Sequence, residues 1–223
     1  MTNTMKKILA IGFVAIAMAF IADRAYASET QVWSTLGVSA EVTPGITLNL
    51  EEQFRLSDEA DLLRQHTDLS VTLGAVANRM TVTLGYRNTS DDEQRPYVGA
   101  DLRILSGKLT LDSVTRLEMR SFDGDNSFRG RTAAVAGTTV AGLDVSLSDE
   151  LYVTGDGLQE NRATLGVGYS VNNLLGVNAF YMLWTTGLDT ESTNSHVVGL
   201  GAALTLYPTP SVARFSCKPS PVT

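Results

Sequence analysis

Residues 143–152 read Leu-Asp-Val-Ser-Leu-Ser-Asp-Glu-Leu-Tyr, and residues 46–55 read Ile-Thr-Leu-Asn-Leu-Glu-Glu-Gln-Phe-Arg. In both, apolar and polar side chains alternate with a period of two. Successive side chains of a strand point to opposite faces, so this pattern argues for strands with one apolar face. The same alternation recurs at 66–73, His-Thr-Asp-Leu-Ser-Val-Thr-Leu, and at 95–104, Arg-Pro-Tyr-Val-Gly-Ala-Asp-Leu-Arg-Ile.

Followed outward, the pattern predicts eleven strands: about 31–42, 45–56, 65–76, 79–88, 94–105, 108–121, 128–139, 143–153, 159–171, 174–185 and 196–207. Each is near the roughly 9–11 residues that a tilted strand needs to cross a bilayer. Short turns are expected at Thr43-Pro44-Gly45, Ala77-Asn78, Ser106-Gly107, Ala141-Gly142 and Asn172-Asn173. Longer polar loops are expected at 57–64, 89–93, 122–127, 154–158 and 186–195. Short turns at one end and long loops at the other describe an up-and-down meander with two different rims, the layout of an outer-membrane barrel.

A soluble β-sandwich would put the apolar face in a core, whereas a membrane barrel puts it in lipid and the polar face in a lumen. The apolar set is aliphatic at mid-strand: Ile46, Leu48, Leu50, Leu69, Val71, Leu73, Val82, Leu84, Val98, Leu102, Leu109, Leu111, Val145, Leu147, Leu165 and Val167. Aromatics fall towards strand ends, at Phe54, Tyr86, Tyr97, Phe122, Phe128, Tyr152, Tyr169, Trp184 and Tyr207. Rings at the two bilayer interfaces account for that placement. The fold expected is therefore all-β, an up-and-down antiparallel transmembrane β-barrel of about 10–12 strands. Single-chain bacterial barrels have even strand numbers, so a count of eleven implies one segment missed, merged or non-spanning. A secreted soluble β-sandwich is the alternative.

The first 27 residues read as a signal peptide. Lys6 and Lys7 precede an apolar run from Ile8 to Ile21, and Ala25-Tyr26-Ala27 is a small-x-small cleavage site. The run is too short for a spanning helix, which needs roughly 20 residues. The domains are then 1–27 signal peptide, 28–207 barrel and 208–223 a Pro-rich tail, and the location expected is the bacterial outer membrane. The tail carries Pro208, Pro210, Pro219 and Pro221 with Cys217, the single cysteine. Proline donates no ladder bond, so this segment cannot extend the last strand.

Of 17 basic residues only Lys108 and Lys218 are lysines beyond the signal segment; the others there are arginines. No basic run exists, so nucleic acid is not an expected partner. Net charge is -7 for the whole chain. Reading parity strand by strand gives an inward set of acids, Glu51, Asp68, Asp101, Asp112, Glu118, Asp144, Glu150 and Glu160. The inward bases are Arg55, Arg87, Arg95, Arg103, Arg116, Arg120, Arg129, Arg131 and Arg162. Matched signs predict Arg–carboxylate ladders rather than a single-sign ion path. Arg116, Glu118 and Arg120 share one face, with Arg129 and Arg131 returning beside them. Glu118 is expected between arginines, with Asp101 and Arg103 on its other side. Such charges either fill a narrow lumen or line a pore, and ten to twelve strands lie between the filled and open size classes.

The loops expected to be long are acidic, with Asp58, Glu59, Asp61, Asp91, Asp92, Glu93, Asp123, Asp125, Asp156, Asp189 and Glu191. A negative rim disfavours anionic solutes. Asp123-Gly124-Asp125 begins like a calcium loop but lacks the acid at its twelfth position, Ala134, and neither a metal nor a cofactor is expected. The rival class is a lipid-modifying enzyme of lipase or lipid A deacylase type. It would need a base, for which only His66 and His196 are present. Ser195 and His196 are adjacent and point to opposite faces. His66 shares a face with Asp68 without a third partner, so no catalytic residue is assigned and the protein is not expected to be an enzyme.

Several short motifs occur in order: Val32-Trp33-Ser34, Glu52-Gln53-Phe54-Arg55, Gly85-Tyr86-Arg87, Arg95-Pro96-Tyr97 and Arg116-Leu117-Glu118-Met119-Arg120. Arg129-Gly130-Arg131, Glu150-Leu151-Tyr152 and Asn161-Arg162 with Gly166 follow. Together, over about 31–207, they resemble an uncharacterised family of Gram-negative outer-membrane β-barrels known as a domain of unknown function. The resemblance implies a barrel in the outer membrane and no defined activity. Expected partners are outer-membrane lipid, lipopolysaccharide and the barrel-insertion machinery; the oligomeric state is left open.

Overall fold

The computed structural model describes residues 29–75, 79–188 and 192–206. The expected signal peptide, the tail and the Ala77-Asn78 turn lie outside the described residues. Eleven strands form one closed barrel. They are β1 (Glu29–Thr43), β2 (Ile46–Ser57), β3 (Leu62–Ala75), β4 (Met80–Thr89), β5 (Gln94–Leu105), β6 (Leu109–Phe122), β7 (Asp125–Val140), β8 (Leu143–Thr154), β9 (Gly157–Ser170), β10 (Leu175–Thr186) and β11 (Thr193–Leu206).

Sequential neighbours pair antiparallel from β1 through β11. An odd meander leaves its first and last strands pointing the same way. Closure accordingly joins β1 to β11 in parallel, from Glu29 opposite Ser195 to Ala40 opposite Leu206. This corrects the expectation of an even count: 31–42 is a full strand, and the parallel seam absorbs the odd number. Closure leaves no unpaired edge.

The two rims differ less in loop length than expected. The connections 123–124 and 155–156 have two residues each, where loops at 122–127 and 154–158 were expected. The chain turns early because Asp123 and Gly124 both adopt positive φ, 49° and 88°. That is the conformation of a two-residue Asp-Gly hairpin turn, so the strands run on past the expected loop boundaries. Ala141 and Gly142, at 53° and 82°, make the same turn at the opposite rim. The rim holding 58–61, 90–93, 123–124 and 155–156 is called the acidic rim below.

The distribution of side chains is inside-out. Leu48, Leu50, Leu69, Leu84, Leu147, Leu165 and Leu200 are exposed on the outer wall, whereas the buried residues include Arg87, Arg131, Arg162, Asp68, Glu118 and Glu150. Phe54, Tyr86 and Phe128 also face outward near the acidic rim, Phe128 more than half exposed, whereas Phe122 shares the parity of Arg120 and lines the barrel mouth beside it. Three more of the aromatics expected at the interfaces lie inside: Tyr97 and Tyr152 are buried in the barrel, and Trp184 packs there against Trp33. Tyr97 shares strand parity with the inward Arg95, Tyr152 with Glu150, and Trp184 with the buried Phe180 and Met182, and that parity outranks position along the strand.

Candidate functional site

The interior is layered. At the acidic rim, Glu93 folds back into the barrel mouth and is almost wholly buried. It takes ion pairs from both Arg95 and Arg120. Arg64 lies 3.7 Å from the same carboxylate and pairs with Asp91. Burial pushes the Glu93 carboxyl up, but hydrogen bonds from Arg95 and Arg120, with both their charges, outweigh it and hold it at about 2. Sequence reading placed Glu93 among solvated loop acids. Its proximity to Arg95, two residues on, was the available signal.

Below lies a layer of arginines, carboxylates and rings. Asp68 accepts from Arg87 Nε and Nη2 at 3.0 and 2.6 Å and from the Tyr97 hydroxyl at 2.6 Å. Glu118 accepts from Arg129 at 3.2 and 2.7 Å and from Arg116 at 3.5 Å. Arg131 pairs with Glu150 at 2.6 Å, and the Tyr152 hydroxyl donates to Glu150 at 2.9 Å. Arg162 donates to the Tyr152 hydroxyl at 2.7 Å and to Glu160 at 2.9 Å. Glu160 also accepts from Trp184 at 3.1 Å. Nearer the opposite rim, Arg103 and Asp112 form a two-point pair, Asp101 accepts from Thr81, and Asp144 accepts from Thr139. Glu51 lines the cavity described below.

Four rungs set opposite charges face to face as expected: Asp68 opposite Arg87, Arg103 opposite Asp112, Glu118 opposite Arg129, and Glu150 opposite Arg162. Other positions set like charges face to face, with Arg116 opposite Arg131, Arg87 opposite Arg95, and Arg55 opposite Arg64. Like charges directly opposite destabilise a sheet. Here the guanidiniums diverge: Arg116 reaches Glu118 and lies 4.0 Å from Asp68, Arg131 reaches Glu150, and Arg95 reaches Glu93. Aromatic faces take up further charge. Arg116 stacks on Tyr97 at 3.7 Å and Arg55 on Trp33 at 3.8 Å. Arg162 lies over Tyr152 and Trp184 at 4.4 and 4.9 Å. Such contacts contribute most when desolvated.

The surroundings of Glu118 correct the sequence expectation. Arg116 and Arg129 flank it, but Arg120 turns away to Glu93. The preceding strand presents Tyr97 opposite it, rather than Asp101 and Arg103. A strand-pairing offset separates those two residues from Glu118 towards the opposite rim.

All 17 residues expected to form the lumen charge network sit on inward positions. The family described as Protein of unknown function (DUF2490) matches residues 30–195. The chain belongs to this family. No curated protein matches the chain. The family match spans β1 to the start of β11 and so covers every layer of the interior. His66 lies within it, buried opposite Gln53 and Thr89, and its ring nitrogens make no hydrogen bond. Ser195 is inward and buried, whereas His196 turns out against Tyr181 at a ring separation of 5.7 Å. Among the described residues, no cluster of His, Cys, Asp and Glu forms a metal-holding group.

Proposed function

We propose that this family member is an outer-membrane β-barrel whose lumen is blocked towards the acidic rim by paired charges, serving envelope structure or passage of a small solute. The observation carrying this reading is the inversion of polarity: an outer wall of exposed leucine and valine around an interior of buried arginines and carboxylates. In water, so broad an apolar surface would associate, since monomeric soluble proteins rarely expose contiguous patches above a few hundred Å². In lipid the same wall is in its favoured solvent. The apparent signal peptide supports export, and the outward rings near the acidic rim suit a lipid interface.

Fractionation and gel migration test the location. The protein is expected in outer membranes, migrating differently before and after boiling; recovery as a soluble periplasmic protein with unchanged migration would overturn the reading. Planar-bilayer recordings test the blocked lumen. Little steady conductance is expected, and a large steady conductance would identify a general porin instead. Lipid hydrolysis or deacylation lost on changing His66 or His196 would make the protein an enzyme.

A further inference from the structure

Between the arginine layer and the opposite rim the barrel is lined by small and hydroxylated side chains, and a cavity of about 240 Å³ opens there. Asn49 donates to Ser70 and Thr72 at 3.4 and 3.1 Å, and Thr72 and Thr83 share a hydrogen bond of 3.1 Å. These groups form a wall suited to hydroxylated solutes. At the blind end stand Arg87, Arg116 and Arg131 with Asp68. Arg87 and Arg131 are 1% and 3% exposed. Even so, Arg87 Nη1 has no hydrogen-bond partner. This nitrogen is sealed from solvent as it stands, so an oxyanion meets it only as the guanidinium turns towards the cavity, which would relieve the cost of a buried N–H without an acceptor.

We infer that this cavity is a binding site for a small hydroxylated solute carrying one oxyanion group, carboxylate or phosphate, with the anion on Arg87, Arg116 and Arg131. The planar fork of arginine matches both groups. Glu51 and Asp101 also line the cavity, so a second anionic group elsewhere on the solute is disfavoured. The volume suits a molecule of a few carbons, below the drug-sized range of about 300–1,000 Å³. The inference deepens the proposed function and rests on its reading of the barrel as solute-handling.

The test is calorimetric titration of the full-length protein in detergent micelles with glycerate, glycerol 3-phosphate and, as the neutral control, glycerol. Saturable binding of one or both anions without glycerol binding is expected, and the two anions separate the carboxylate from the phosphate. Arg87→Gln should weaken binding by about ten-fold or more, the scale of one charged hydrogen bond. Should that variant fail to fold, Gly37→Phe decides. Gly37 lines the cavity, and a Cβ there meets only Ala203 and a backbone oxygen at 3.9 and 4.0 Å. This variant should fill the cavity and abolish binding while heat-modifiable migration persists. No saturable binding to the native protein, or equal binding to native and Gly37→Phe protein, would overturn the site. A folded barrel with little conductance and no anion binding would retire the site alone. Anion binding by a protein found soluble in the periplasm would support the site and retire the membrane reading.

Discussion

Replacing Glu118 by alanine removes one carboxylate from the centre of the interior. Glu118 is 1% exposed and holds Arg129 through two hydrogen bonds and Arg116 through a longer third. Breaking a buried pair by deleting one partner typically costs about 3–5 kcal/mol, because the other charge is left uncompensated. Each arginine keeps a more distant acid: Arg129 lies 3.7 Å from Glu160, and Arg116 lies 4.0 Å from Asp68. The loss should therefore fall at the lower end, about 3 kcal/mol. Urea unfolding of the protein in lipid vesicles, followed by Trp33 and Trp184 fluorescence, measures it. Glu118→Ala combined with Arg129→Met should recover part of the loss, since no unpaired charge then remains on that rung. A cost below about 0.5 kcal/mol, the range of an ordinary surface substitution, would refute the reasoning. It would mean that water reaches these charges freely and that the lumen is open at this level.

Four further outcomes follow from the layers. Glu93 has a depressed carboxyl pKa of about 2 when folded. Its stabilising contribution is therefore fully present above its ordinary value near 4.5 and is lost as pH falls towards 2. Urea midpoints should fall across that window, and less steeply in Glu93→Gln. A Cβ at Gly85 would overlap the Tyr97 ring. Gly85→Val should displace that ring from Asp68 and Arg116 and destabilise the barrel by about 1–3 kcal/mol, read as a lower temperature of gel-mobility conversion. Tyr97→Phe removes a single hydrogen bond from Asp68, which keeps Arg87, and should cost about 1 kcal/mol in the same assay. Truncation after Tyr207 should leave barrel formation intact; failure to form a heat-modifiable species would show that residues beyond β11 contribute to closure.

Period-two alternation exposed all eleven strands, because a barrel wall between two unlike environments imposes opposite polarity on successive side chains. The same parity would have placed Tyr97, Tyr152 and Trp184 inside, since each stands two residues from an inward position. Their location near strand ends drew the reading to an interface instead. Asp123-Gly124 is a strong hairpin signal that the acidic residues around it concealed. The identity of ion-pair partners was less accessible. Arg131 faces Arg116 across one strand boundary and Tyr152 across the other, yet pairs diagonally with Glu150. That choice depends on barrel curvature and on which neighbours already hold a carboxylate, neither of which is written in a single strand. The empty wall beside the arginines came from glycine, serine and threonine at inward positions, residues that attract no notice beside charges.

The parallel β1–β11 seam has a geometric consequence for the chain ends. β1 starts at the acidic rim and β11 finishes at the opposite one, so the barrel's first and last residues are separated by its full height. In an even meander they would share a rim, and a short linker could join them. Here a circularly permuted chain would have to thread its linker through the interior or around the outside wall. Epitope tags placed before β1 and after β11 of a barrel embedded in a membrane should accordingly be reached by antibody from different sides.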